Sequence, residues 1–309
     1  MNILITGGTG FQGSHLIEAL IADGHTVRVL NSPSSESHKN LAEVVCRSDI
    51  DLVWGSVQER NLVFTTIQDI DLVIHLAAEI NVDKSLLDPT LFIETNVIGT
   101  LNVLDAVRKA GIRMIHASTC EVYGGAEYKP MDENHPLNPR SPYAASKAGA
   151  DRLCYAYAKS FGVNVTIVRP FNIYGPRQKT GKFGAVIPIF ADKILSGEAP
   201  TIFGTGKQTR DYLFISDLVD AYMLMVETPT EPGEVINFGS GVETSIGYLA
   251  SALCDRIDPN ISPKFENARV GEVSSFCAGI YKAKDMGWSP KVDIDKGLDI
   301  YLEWLTASR

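Results

Sequence analysis

Short apolar runs alternate with helical stretches through the first half of the chain, and that alternation leaves few folds open. Residues 2–6, 26–30, 51–54, 71–76, 113–118 and 165–169 are brief and rich in Val, Ile and Leu, as strands buried on both faces must be. Between them, residues 12–22, 96–110 and 142–161 repeat their apolar positions at helical spacing. Buried strands separated by helices predict an α/β fold: a doubly wound parallel sheet covered on both faces.

Beyond about residue 175 the elements shorten between turns rich in Gly and Pro, such as E-P-G and G-T-G. Two parts are expected. Residues 1–175 form a Rossmann-like domain. Residues 176–309 form a smaller C-terminal α/β lobe, with the chain crossing back between the two. Ligands of such sheets lie at the carboxyl ends of the strands, so a lobe placed there closes a cleft. The stretch 31–40, N-S-P-S-S-E-S-H-K-N, is read as a polar loop.

The charge balance excludes several partners. With 28 Lys and Arg against 37 Asp and Glu, the net charge is −9, which gives no reason to expect a nucleic acid. No apolar run reaches the roughly 18 residues a membrane helix needs, so no membrane partner is expected. Cys46, Cys120, Cys154, Cys254 and Cys277 are odd in number and scattered, without a C-x-x-C pair. They suggest reduced thiols rather than disulfides or a metal site. M-N-I-L-I-T-G-G-T-G enters a strand with no basic leader before it, and a cytoplasmic location is expected.

G-G-T-G-F-Q-G sets Gly7, Gly10 and Gly13 between the first strand and the first helix. Glycines there let the backbone approach a pyrophosphate, whose charge the N–H groups at the helix N-terminus stabilise. A glycine turn by itself is often only a turn, but its place at the start of the sheet predicts a dinucleotide. The second strand ends at Asn31, where an acidic residue would bind the ribose diol; an amide still bonds it, less strongly than a carboxylate. No Arg follows at once to neutralise a 2′-phosphate, so NAD is expected rather than NADP.

S-P-Y-A-A-S-K puts Tyr143 and Lys147 four residues apart, on one face of a helix. A phenol ordinarily titrates near about 10, but a neighbouring ammonium and an oxidised nicotinamide both favour the phenolate and make Tyr143 a usable base. Thr119 can hydrogen-bond the same substrate hydroxyl. Taken singly, a Tyr and a Lys at this spacing are surface decoration in most helices.

Taken together with H-L-A-A (75–78), N-V-I-G-T (96–100), S-T-C-E-V-Y-G (118–124), R-P-F-N-I-Y-G-P-R (169–177) and Q-T-R-D-Y (208–212), these motifs resemble the extended short-chain dehydrogenases/reductases that act as NAD-dependent nucleotide-sugar epimerases and dehydratases. The match spans nearly the whole chain. The resemblance implies Thr119, Tyr143 and Lys147 as catalytic residues. It implies NAD held by Gly7, Gly10, Phe11, Gln12, Gly13, Asn31, Ser32, Leu76, Ala77, Ala78, Asn96, Ser118, Tyr143, Lys147 and Pro170. It implies a UDP-sugar bound by Asn172, Val186, Thr201, Ile202, Phe203, Gln208, Arg210, Arg269 and Glu272, with the two arginines on the pyrophosphate. For Arg210 the alternative is a salt bridge to adjacent Asp211. Relatives of this family pair through two long helices, so residues 96–110 and 142–161 are candidates for a homodimer contact, with intrachain packing as the alternative.

Cys120 and Glu121 follow Thr119, where simple 4-epimerases of this family often carry small neutral residues, 4,6-dehydratases carry Asp-Glu, and nucleotide-sugar decarboxylases and GDP-mannose dehydratases tend to carry Ser-Glu. Glu121 stands where a base would take the C5 proton once C4 is a ketone. An ordinary thiol, near about 8.5, is protonated at pH 7 and can donate to a departing 6-hydroxyl without tuning, whereas an Asp near about 3.9 would need a large upward shift. Against this, a free Cys is often only a buried filler. The Cys-Glu pair, the short length and the compact N-terminus resemble the 5,6-dehydratases of this family, and that resemblance implies a dehydratase that eliminates water across C5–C6 with hydride returning to C4. The alternatives are hydride delivery to C6, 4-epimerisation or decarboxylation. A dinucleotide sensor would not need Tyr143, Lys147 and Glu121 together.

Overall fold

The computed structural model describes residues 1–33, 40, 50–181, 184–268 and 273–308. Its strands are β1 (Asn2–Thr6), β2 (Thr26–Asn31), β3 (Asp51–Trp54), β4 (Leu72–His75), β5 (Arg113–Ala117), β6 (Val165–Pro170), β7 (Asn172–Tyr174), β8 (Thr201–Phe203), β9 (Thr209–Phe214), β10 (Val235–Phe238), β11 (Glu243–Ser245) and β12 (Lys264–Glu266). Seven of them form one sheet in the order β10-β6-β5-β4-β1-β2-β3. The pairs β6-β5, β5-β4, β4-β1, β1-β2 and β2-β3 are parallel. The doubly wound parallel sheet is as expected, with strand limits within a residue of the sequence reading.

From β1 the chain winds to β2 and β3 on one side and to β4, β5 and β6 on the other. Between β1 and β4 the winding direction reverses, and the loops after the two strands part there. Register places Thr6 beside Leu30 and His75, and His75 beside His116. Gly7, Asn31, Leu76 and Ser118 therefore leave the sheet at one edge.

Helix Gly99–Ala110 buries Val103, Leu104, Ala106 and Val107, which lie on one helical face, against Leu4, Val73, Met114 and Ile167. Val103, Leu104 and Val107 each contribute roughly 1.5–3 kcal/mol through burial. The helix stops at Gly111, whose φ of 69° suits the left-handed cap. Helix Pro142–Phe161 has the bounds expected from sequence because both ends are marked. The Ala144 N–H donates to Ser141 Oγ at 3.1 Å, Pro142 fills the first turn, and Gly162 closes the helix at φ 68°.

The stretch read as one helix from residue 96 differs. A π-helical turn, Ile93–Ile98, precedes Gly99–Ala110, and short helices Val82–Leu87 and Pro89–Phe92 lead into it. A π turn accommodates one extra residue, and here the turn contains the fully buried Asn96.

The chain divides into two units with interleaved segments. One comprises Met1–Val122, Pro139–Arg169 and Val219–Ile236; the other comprises Tyr123–Asn138, Pro170–Leu218 and Asn237–Arg309. The second unit contains the β11-β9-β7 sheet, the β12-β8 pair and helices Val186–Leu195, Ile246–Ile257 and Ile294–Ala307. Among the described residues, no helix is long and apolar enough to cross a membrane.

Candidate active site

The turn after β1 fits a dinucleotide. Gly7 has φ 73°, and a Cβ there would lie 2.8 Å from the Ala77 backbone; on Gly13 it would lie 2.5 to 2.7 Å from the backbone of Gly8. Both positions are closed to any side chain. At Gly10 no side chain caps helix Phe11–Ala22, and its first turn holds no acidic residue. The N–H groups there therefore face no competing acid, as an incoming pyrophosphate requires. Phe11 packs edge-on to His15 at 6.0 Å, and Gln12 Oε1 accepts from the Tyr222 hydroxyl at 3.4 Å.

Asn31 joins this turn to the end of β2: its Oδ1 accepts the Thr9 N–H at 3.3 Å and its Nδ2 donates to the Ser32 carbonyl at 2.9 Å. Ala77 is held in the same way. Its N–H donates to Thr6 Oγ1 at 3.2 Å, and that hydroxyl lies 2.6 Å from His75 Nδ1. On the other side of the ring, His75 Nε2 lies 3.0 Å from Thr100 Oγ1, which donates to the Asn96 carbonyl. With the Thr100 proton so committed, Nε2 carries the ring hydrogen and Nδ1 accepts from Thr6. Burial, aided by the charge of Lys147, pulls His75 down to about 3, so it is neutral.

Asn96 and Ser118, two expected cofactor contacts, are engaged within the protein. Asn96 Oδ1 accepts the Glu79 N–H at 2.8 Å, and its two amide hydrogens go to the Glu79 carbonyl and to Ser146 Oγ, each at 2.9 Å. Ser146 Oγ donates in turn to the Tyr143 carbonyl at 2.7 Å. Asn96 thus ties the segment following Ala78 to helix Pro142–Phe161. Ser118 Oγ donates to Asp151 Oδ2 at 2.7 Å. Leu76 continues from β4, its N–H donating to Thr6 O, and Pro170 ends β6.

The residues expected to be catalytic gather where β5 meets helix Pro142–Phe161. Tyr143 is 8% exposed and Lys147 5%. Phe92 stands edge-on to the Tyr143 ring at 6.3 Å. Burial holds the phenol well above its ordinary range; the Thr119 hydrogen bond opposes this, while Glu121 and Cys120 raise it further. The ammonium expected to lower the phenol instead donates to the Ala117 carbonyl at 2.6 Å. With protein groups alone the phenol therefore stays protonated at neutral pH, burial outweighing the groups that favour ionisation, and the oxidised nicotinamide is the expected influence still to be added. Burial also draws Lys147 down to about 8, against the opposing influence of Cys154 and Asp151. Cys120 and Glu121 begin the 3₁₀ turn Cys120–Tyr123 directly after Thr119, and the Glu121 N–H donates to Thr119 Oγ1 at 3.2 Å. Cys120 is buried and Glu121 half-buried.

The second unit carries the remaining expected residues. Asn172 opens β7, and its buried Oδ1 finds no partner among the described residues, leaving an acceptor for a ligand donor. Val186 starts its helix. Thr201, Ile202 and Phe203 form β8, with Thr201 Oγ1 accepting from Lys193 Nζ at 2.8 Å and the Phe203 carbonyl accepting from Gln208 Nε2 at 2.8 Å. Arg210 Nη1 donates to the Thr209 and Val273 carbonyls, and its guanidinium lies 5.3 Å from the Phe276 ring centre. The Asp211 alternative is not realised: that carboxylate accepts from Ser240, Gly241 and Ala278. Arg269, Glu272, Cys46 and most of the polar loop 31–40 lie outside the described residues.

Sequence reasoning missed the buried residues behind Tyr143 and Lys147: His75, His116, Asp151 and Arg169. The signal for Asp151 was present, since it follows Lys147 by four residues as Lys147 follows Tyr143.

Comparison with known proteins accords with this geometry. Residues 3–239 match the model of the NAD dependent epimerase/dehydratase family. A putative UDP-glucose 4-epimerase of Methanocaldococcus jannaschii is 34% identical over 98% of both chains. UDP-glucuronic acid decarboxylase 1 of Xenopus tropicalis is 34% identical over 96% of this chain and 70% of its own. The crystal structure of DesIV, a dTDP-glucose 4,6-dehydratase from Streptomyces venezuelae with NAD and TYD bound, superposes with a TM-score of 0.92 at 33% identity, covering 100% of this chain and 98% of that one. A glycine cradle closed to side chains, a buried Tyr-Lys pair and near-complete coverage by such relatives lead to one conclusion: this chain belongs to the NAD-dependent epimerase/dehydratase family of extended short-chain dehydrogenases/reductases, with NAD as its cofactor.

Proposed function

We propose that the protein is a nucleotide-sugar dehydratase acting on UDP-N-acetylglucosamine, of the 5,6-dehydratase kind known from tunicamycin biosynthesis, working in the cytoplasm. The observation that carries this reading is the position of an acid and a base beside the redox tyrosine. Cys120 and Glu121 leave β5 in the turn directly after Thr119, and both act electrostatically on the Tyr143 phenol. A 4-epimerase needs Thr119, Tyr143 and Lys147 alone; an elimination needs two further groups, and these are of the right kinds.

Bound NAD supplies a reversible hydride acceptor for C4 of the sugar. Tyr143 accepts the proton of the C4 hydroxyl, and Thr119 holds that hydroxyl by a hydrogen bond. The C4 ketone acidifies the C5 proton, which Glu121 removes. Cys120 gives a proton to the 6-hydroxyl as it departs, so the C5–H and C6–O bonds break, a C5–C6 double bond forms and water leaves. The proton on Glu121 restores the one lost by Cys120. Tyr143 then returns its proton to the C4 oxygen as C4 is reduced, and every group ends as it began. Asn172, Arg210 and strand β8 are assigned to the nucleoside diphosphate, and the unpaired Asn172 Oδ1 supports a ligand contact. We also assign a homodimer contact through helices Gly99–Ala110 and Pro142–Phe161, supported by exposed Ile93, Ile98, Tyr155 and Phe161 nearby in the chain.

Mass spectrometry and proton NMR after incubation with UDP-N-acetylglucosamine test the reaction. Loss of one water with new vinyl signals is the expected result. The same loss with a methyl doublet would mean hydride delivery to C6, and unchanged mass with an altered C4 coupling would mean epimerisation. Glu121→Gln should abolish deuterium exchange at C5 while NAD stays bound; continued exchange would remove Glu121 from the role of base.

A further inference from the structure

Tyr143, Lys147 and Asp151 succeed one another at intervals of four on helix Pro142–Phe161 and share its buried face. Asp151 is wholly buried, and its carboxylate is met by three residues. Arg169 on β6 donates Nε to Oδ2 at 2.8 Å and Nη2 to Oδ1 at 2.9 Å. Arg152 donates Nε to Oδ1 at 2.9 Å, and Ser118 Oγ donates to Oδ2 at 2.7 Å. Ser118 stands between Ala117, whose carbonyl receives the Lys147 ammonium, and Thr119, which bonds the Tyr143 phenol.

We propose that Asp151 is a positioning residue for the catalytic pair: through Ser118 it clamps the end of β5 to the helix, and through its negative charge it keeps the Lys147 ammonium charged. The inference rests on Tyr143 and Lys147 being the reacting pair, which every reaction considered above shares, and not on the identity of the sugar.

The groups facing Lys147 single out this carboxylate. On its own helix, Cys154 is held protonated by burial. From β4 and β5, His75 and His116 are both driven neutral, chiefly by burial and then by Lys147 itself. From β6, the buried Arg169 is ion-paired with Asp151, and the neighbouring Arg152 brings a second, solvent-exposed guanidinium to the same carboxylate. Burial would raise the Asp151 carboxyl, but the bonds and charge of Arg169, with Arg152 and Ser118, outweigh it and hold the group far below the usual carboxylate range. Among these groups Asp151 is the anion. A buried ammonium near its titration point is sensitive to such a charge, and a hydroxyl bonded to a carboxylate is fixed more firmly than one bonded to a neutral acceptor.

The test uses the full chain labelled with ¹⁵N at lysine, the Lys147 signal being assigned by its loss in Lys147→Arg. Asp151→Asn should lower the Lys147 titration midpoint by about one unit. The basic limb of the kcat profile should move down with it on whichever nucleotide sugar is turned over, and Asp151→Glu should restore both. A purely structural role would lower kcat and melting temperature at every pH and leave the midpoint in place, which would overturn the proposal. Failure to turn over UDP-N-acetylglucosamine would count against the dehydratase reading alone, because the midpoint is read without substrate. Should Asp151→Asn not fold, Ser118→Ala decides, since it leaves the ion pair whole. Amide exchange over 117–119 should then accelerate at least about tenfold, the loss expected for a bond to a charged acceptor, and unchanged exchange would overturn the proposal.

Discussion

Mild acid should destabilise the protein through two histidines that face each other across β4 and β5. His75 is 1% exposed and its ring is bonded on both sides, with Nδ1 accepting from Thr6; taking a second proton would set a donor against that hydroxyl. Its value falls from 6.5 to about 3 on folding. A depressed value means that the unfolded chain takes up the proton first as pH falls, so stability present above 6.5 is lost between 6.5 and about 3. At about 1.36 kcal/mol per unit, the descent from pH 7 to pH 5 removes roughly 2 kcal/mol through His75 alone.

His116 adds to this in the same direction, being buried 5.5 Å from His75 with both ring nitrogens unpartnered among the described residues. Glu133 and Asp211, raised by burial, act in the opposite sense, but they take up protons nearer the carboxylate range. The net loss therefore falls between about pH 6.5 and 5. His116→Phe separates the contributions, because it removes unpaired polar atoms without breaking a hydrogen bond. A buried unsatisfied group costs about 1–3 kcal/mol, so the variant should be more stable than wild type at pH 7.5 and further ahead at pH 5. Urea unfolding midpoints at four values from pH 7.5 to 5 provide the assay. A wild-type midpoint that does not fall below pH 6.5, or a variant with the same slope as wild type, would refute the reasoning.

Other outcomes follow from the site. Gly13→Ala would press a methyl group to within 2.5 Å of the Gly8 backbone, so the purified variant should retain little NAD by absorbance and melt several degrees lower. Tyr143→Phe removes the proton acceptor but preserves the contact with Phe92, and kcat should fall by about 10²- to 10⁴-fold with NAD content unchanged. Asn96→Ala strands the Glu79 N–H and carbonyl together with Ser146 and should cost roughly 2–4 kcal/mol, read as a lower thermal midpoint.

The sheet and helix Pro142–Phe161 were legible because their signals are local. The runs ending at Thr6, His75 and Ala117 are apolar on both faces, and Ser141-Pro142 and Gly162 punctuate their helix. Tyr143 and Lys147 were found from a spacing within one element. What escaped depends on register between distant strands: nothing near His75 in the chain announces that His116 will pair with it, or that Arg169 will meet Asp151. The π turn at Ile93–Ile98 was hidden for a related reason, since its Asn96 is held by Glu79, seventeen residues earlier. The strength of burial around the Tyr143 phenol, which opposes ionisation, has no local sequence signature.

The interleaving of the two units constrains how the polypeptide can be made and cut. Strand β10 lies beside β6 at the sheet's edge, yet it is supplied by residues after 234. During synthesis, β6 must wait for some sixty-five more residues before it gains its neighbour. A truncation near residue 175 would leave β6 with a bare row of backbone donors and acceptors, a template for clumping with other copies. Genetic dissection of this protein will therefore succeed by substitution, and not by cutting out its first half.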